Sequence, residues 1–76
     1  MNATIQWYEN VGFLLFNKWL TELRAKQQKT IYIDNFEFLP KNADKASLVK
    51  VLNEDAGYSW DFRIDNDGYI CAEQKY

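Results

Sequence analysis

The chain has no histidine, one cysteine, one proline and only three glycines, and each scarcity removes a class of function. Histidine is the side chain whose ordinary pKa lies nearest neutrality, so its absence takes away the usual proton shuttle, the usual triad base and the commonest metal ligand. Ser47 and Ser59 have no evident base, and a lone Cys71 supplies neither a zinc set nor an intramolecular disulfide. A stapled, secreted fold is therefore not expected, and a reducing compartment, the cytoplasm, is. Gly12, Gly57 and Gly68 are too scattered to form a phosphate-cradling loop. The longest apolar run, Val11-Gly12-Phe13-Leu14-Leu15-Phe16, follows Glu9 and stops at Asn17-Lys18, far short of the roughly 20 residues a membrane span needs. Asn2-Ala3-Thr4 fits a glycosylation triplet but has no secretory signal around it. No enzyme activity, metal, cofactor or membrane association is expected from this chain.

What the chain has in excess is aromatic surface: three Trp, five Tyr and five Phe in 76 residues. A chain of this length makes one domain, residues 1–76, and buries only about 60% of its unfolded surface, so large side chains must supply its core. The formal charge of −2 is unevenly spread. Residues 1–50 carry seven basic and five acidic groups, whereas the remainder carries Arg63 and Lys75 against Glu54, Asp55, Asp61, Asp65, Asp67 and Glu73. The C-terminal third is acidic and would attract a basic partner.

Periodicity gives the elements. From about Glu9 to Gln28, Val11, Leu15, Trp19 and Leu23 recur every four residues beside Phe16 and Leu20, which predicts an amphipathic helix with Asn10 as its N-cap. Phe13 and Leu14 fall at the edge of this stripe or outside it. Thr30-Ile31-Tyr32-Ile33 and Phe36-Glu37-Phe38-Leu39 are β-prone, and Asp34-Asn35 between them is either a hairpin turn or a bulge. Lacking glycine, that pair favours one bulged strand ended by Pro40. Lys41 to Gly57 reads as a second helix, capped by Asn42 or Asp44 and closed by Gly57. Trp60, Phe62 and Ile64 alternate with Asp61 and Arg63 before Asp65-Asn66-Asp67-Gly68 and Tyr69-Ile70-Cys71-Ala72, the pattern of a β-hairpin. The expected fold is α+β, a small antiparallel sheet of three to four strands with two helices on one face, in the order α-β-α-β-β.

Asp65-Asn66-Asp67-Gly68-Tyr69-Ile70 resembles the middle of an EF-hand calcium loop. The terminal ligand positions would be Arg63 and Gln74, neither a carboxylate, so the segment is read as a turn. Lys18, Arg24, Lys26, Lys29, Lys41, Lys45 and Lys50 with Tyr32, Phe36 and Phe38 suggest nucleic-acid binding in composition only, because acids are interleaved with the bases and the total is negative.

Small size, acidity, absence of histidine and surplus aromatics point to a protein-binding or inhibitory module. The candidate partner-binding residues are Asp61, Asp65, Asp67, Tyr58, Tyr69 and Tyr76, tyrosine for contact area and carboxylates for orientation against a basic protein surface. In size and composition, with no shared motif, the chain resembles the small inhibitors of phages and mobile elements such as anti-CRISPR proteins. That resemblance implies a host nucleic-acid-handling target and a host-cytoplasmic location. The alternative is an obligate homodimer or assembly subunit that buries Phe13 and Trp7 against a second copy; a small nucleic-acid-binding domain ranks below both.

Overall fold

A computed structural model of the chain describes residues 2–75. Residues 3–25 form one rod: helix α1 (Ala3–Trp7), a π-helical turn (Tyr8–Gly12) and helix α2 (Phe13–Ala25). The N-cap is Asn2, whose Oδ1 accepts the backbone N–H groups of Thr4 at 2.8 Å and Ile5 at 3.4 Å. Asn10, the expected cap, lies inside the π turn. The buried positions are Thr4, Tyr8, Gly12, Phe16 and Leu20, four apart throughout. Four residues of α-helix overshoot a full turn by about 40°, so such a row would drift around the rod. The π turn, closed by the Phe13 N–H on the Tyr8 carbonyl, under-rotates and brings the row back to one face. The expected stripe was thus displaced by one position: Leu15, Trp19 and Leu23 flank the buried row, and Val11 is exposed. Gly12 leaves room for the Trp7 indole folded over it: a Cβ would stand 2.7 Å from Cζ3, so the ring would have to shift. The rod ends earlier than expected, at Ala25, where Gln27 adopts φ 62° and the Gln28 N–H bonds the Leu23 carbonyl at 3.1 Å.

Strand β1 (Thr30–Tyr32) is short. The expected strand over Phe36–Leu39 does not form, because the chain turns through a 3-10 segment (Ile33–Asn35) and drives Phe36 into the core. There the Phe36 ring stacks on Phe16 at 4.3 Å and meets Trp19 at a tilt at 4.8 Å, a burial that an extended strand would forbid. Asp34 makes the turn possible. Its Oδ1 accepts the Ile70 N–H at 2.6 Å, taking the place of a strand carbonyl, while its Oδ2 holds Lys45 Nζ at 2.6 Å.

Helix α3 (Lys45–Ala56) is capped by Asp44, one of the two expected caps. Asn2 Nδ2 reaches both the Asp44 carboxylate and Ser47 Oγ, and the Asp44 N–H donates to Thr4 Oγ1, so the N-termini of α1 and α3 are tied together. Ser47 Oγ donates to the Asp44 carboxylate at 2.9 Å, and this bond, followed by that from Asn2, holds the Asp44 carboxyl below its usual range. Gly57 closes the helix with φ −65° and not in the left-handed conformation common there; its requirement is close approach, since a Cβ would overlap the Asn53 carbonyl.

The hairpin forms as read, with β2 (Trp60–Ile64) and β3 (Ile70–Gln74). Strand order is β1-β3-β2, all antiparallel. Ile31, Trp60, Phe62, Ile70 and Ala72 point to the core face and pack with Tyr8, Phe16, Leu20, Leu48 and Leu52 of the helices. Ile64, in the same alternating row as Trp60 and Phe62, is 43% exposed where the helical layer runs out. The opposite face carries Thr30, Tyr32, Asp61, Arg63, Cys71 and Glu73. No described helix is long and apolar enough to cross a membrane.

Candidate functional site

The hairpin loop is built from its own carboxylate. Asp65 Oδ1 accepts the N–H groups of Asp67 at 2.9 Å and Tyr69 at 3.0 Å, and the Gly68 N–H closes on the Asp65 carbonyl at 3.1 Å. Gly68 takes φ 86°, the left-handed angle a short hairpin loop needs and only glycine adopts without strain. Lys45 then fastens the loop to the rest of the molecule. Its ammonium donates to the Gly68 carbonyl at 2.7 Å, bridges to Asp34 and lies 5.3 Å from the centre of the Tyr69 ring, a cation–π distance.

Around this node Tyr32, Asp34, Asn35, Asp65, Asp67 and Tyr69 line a groove of about 380 Å³. The Tyr32 and Tyr69 rings meet edge to face at 6.5 Å, and both remain about half exposed. Asp34 is committed to Lys45 and Ile70, and Asp65 to the loop backbone, whereas Asp67 projects into solvent. The floor is thus rigid and its outermost carboxylate exposed.

The structure brings together Asp65, Asp67 and Tyr69 of the sequence-derived set and separates the others. Asp61 lies mid-strand on the uncovered sheet face, 4.0 Å from Arg63, whose Nη2 pairs with Glu73 Oε1 at 2.5 Å. The hydrogen bond and charge of Glu73 hold the Arg63 guanidinium above its usual pKa. Tyr58, 81% exposed, precedes β2 at the end away from the loop, roughly 20 Å from it at the rise of an extended strand. Tyr76 lies outside the described residues. Cys71 is buried on the uncovered face, between Tyr32 and Arg63 of the neighbouring strands.

Sequence reasoning missed Tyr32, Asp34 and Asn35 as members of this groove. Their only local signal is a polar pair directly after a β-prone run, which reads as a turn and not as one wall of a site. Lys45 gave no signal, since its partners are 11 and 23 positions away. No protein-family model matches the chain, and no curated protein or solved structure shows significant similarity to it.

Proposed function

We propose that the chain is a non-enzymatic protein-binding or inhibitory module that meets a basic protein surface with its hairpin end. The observation that carries this reading is the pair of half-exposed tyrosines, Tyr32 and Tyr69, set beside Asp67 on a loop already immobilised by Asp65 and Lys45. Tyrosine supplies contact area at low entropic cost, and pre-organised loops lose less freedom on binding. Asp67 and Asp61 supply steering toward positive charge. The finer reading is an inhibitor from a phage or mobile element that occludes a basic, nucleic-acid-handling surface of a host complex, of the CRISPR-defence kind, in the host cytoplasm. It is supported by small size and the acidic C-terminal third.

One observation favours the homodimer instead. Val11, Phe13 and Leu14 are 46%, 44% and 68% exposed on the rod, an apolar surface that a second copy could cover. A single comparison separates the two readings. Affinity capture from host lysate is run with the wild type and with a variant carrying Tyr32→Ala, Asp67→Lys and Tyr69→Ala, and the oligomeric state of both is measured by sedimentation. Loss of a captured protein by the variant, with both monomeric, supports hairpin binding. Retention of every captured protein by the variant removes the hairpin site, and a tight dimer with no captured partner establishes the alternative.

A further inference from the structure

A second concave surface lies between α2 and the start of β2, at the Tyr58 end of the sheet. Its floor is made by Phe16, Leu20, Leu52 and Trp60, and its volume is about 260 Å³. Phe13 and Tyr58, both exposed, form the two lips.

The ends of this groove carry opposite charge. At one, Asp55 Oδ2 accepts the Tyr8 hydroxyl at 2.8 Å, and the Tyr8 ring packs edge to face on Phe13 at 6.1 Å. Asp55 and Glu54 occupy the last turn of α3, which holds no basic residue, so the negative end of that helix dipole adds to their charge. At the other end stands Arg24, whose Nη1 donates to the Lys75 carbonyl at 3.0 Å, next to Ser59, which bonds the Lys75 N–H at 2.7 Å. Phe13, beside the Tyr8–Asp55 pair, and Arg24 lie eleven residues apart on one helix, about 16 Å along its axis.

The geometry points to this groove as a docking site for an extended segment of a partner protein with the pattern basic-x-apolar-x-acidic. Side chains at i, i+2 and i+4 of an extended segment share one face and span about 13 Å. Such a segment sets its basic group on Asp55, its apolar side chain between Phe13 and Tyr58, and its acidic group on Arg24. A free amino acid, with charges only a few bonds apart, cannot reach both ends. This surface is distinct from the hairpin groove and does not rest on it.

The test uses the full chain, three acetylated and amidated peptides, and amide chemical-shift titration. The peptides are Lys-Ser-Leu-Ser-Glu, Lys-Ser-Leu-Ser-Lys and Glu-Ser-Leu-Ser-Glu. Expected for the wild type is preference for the mixed-charge peptide by about fivefold or more over either homologue, with shifts at residues 13–24 and 55–60 and none in the hairpin loop. Arg24→Glu makes both ends acidic and should transfer the preference to the Lys-Lys peptide. Tyr58→Ala, at an 81% exposed position, should weaken binding severalfold without moving the denaturation midpoint. Equal affinity for all three peptides, shifts confined to the hairpin, or an unchanged order in Arg24→Glu would each overturn the assignment. So would a dimer in sedimentation that Tyr58→Ala dissociates, since a second copy would then be the occupant.

Discussion

Asn53→Ala should destabilise this fold far more than its surface position on α3 suggests. β2 is an edge strand in the order β1-β3-β2. The bonds Lys75 N–H to Ser59 carbonyl and Asp65 N–H to Tyr69 carbonyl turn residues 59, 61, 63 and 65 toward β3, so Trp60, Phe62 and Ile64 present their backbone groups outward. Phe62 is 2% exposed, and its outward groups would be stranded without a partner. Asn53 supplies both: its Oδ1 accepts the Phe62 N–H at 3.0 Å and its Nδ2 donates to the Phe62 carbonyl at 3.1 Å. The carboxamide acts as one peptide unit of a missing fourth strand.

Removing it forfeits two hydrogen bonds of about 0.5–1.5 kcal/mol each, and up to about 1–3 kcal/mol per group where water cannot replace them. Alanine's better helix propensity offsets about 0.5 kcal/mol of that. The expected net loss is about 2 kcal/mol, or a fall in Tm of roughly 8–16 °C for a domain of this size. Urea denaturation should show a lower midpoint with an unchanged m-value. The Phe62 amide should exchange faster in native-state hydrogen exchange. Asn53→Asp, which keeps the acceptor but sets an oxygen against the Phe62 carbonyl, should fall between the wild type and Asn53→Ala at neutral pH. A loss below about 0.5 kcal/mol in Asn53→Ala, against the expectation for two bonds to a buried strand, would refute the reasoning.

Gly12→Ala should lower stability by about 1 kcal/mol, since overpacking against the Trp7 indole outweighs alanine's helix preference, and tryptophan emission should shift as the ring is displaced. Asp34→Ala should cost about 2 kcal/mol and speed exchange of the Ile70 amide, because it frees a backbone donor and leaves Lys45 half-buried without its counter-ion; an unchanged Ile70 exchange rate would refute the anchoring role. Burial, reinforced by the hydrogen bond to and charge of Asp55, raises the Tyr8 pKa above its ordinary value. A raised folded pKa means that this contribution is complete below the unfolded value of about 10 and is lost as pH climbs through the folded one. The stability advantage of the wild type over Tyr8→Phe should therefore shrink above pH 10, and a difference that stays constant in urea titrations from pH 8 to 11 would contradict it.

The local elements were legible wherever the signal is short-ranged. Alternation of Trp60, Phe62 and Ile64 and the turn tetrad ending in Gly68 specified the hairpin, because strand period and loop chemistry are properties of neighbouring residues. Asp44 capped its helix for the same reason. The rod was misread at its start because a π turn re-phases the buried row, and nothing in the spacing of Val11, Leu15 and Trp19 announces it. Phe36 and Phe38 have the composition of a strand, yet the stack on Phe16 and Trp19 outweighs that preference, as tertiary contacts commonly do for β-propensity.

Of the residues chosen for binding, Asp65, Asp67 and Tyr69 alternate along one short turn segment, so their grouping came with the hairpin itself. That they face Tyr32, with Asp34 and Lys45 beneath, depends on β1 pairing with β3 across some forty residues. The sequence alone determined an acidic, histidine-free domain with a tyrosine-flanked acidic turn, since composition and local backbone chemistry do not await packing. Only the tertiary structure decided which aromatics are buried, which carboxylates are already engaged by backbone or Lys45, and that Tyr58 belongs to a different groove. Those outcomes hang on long-range pairing and side-chain packing, which no short window of residues contains.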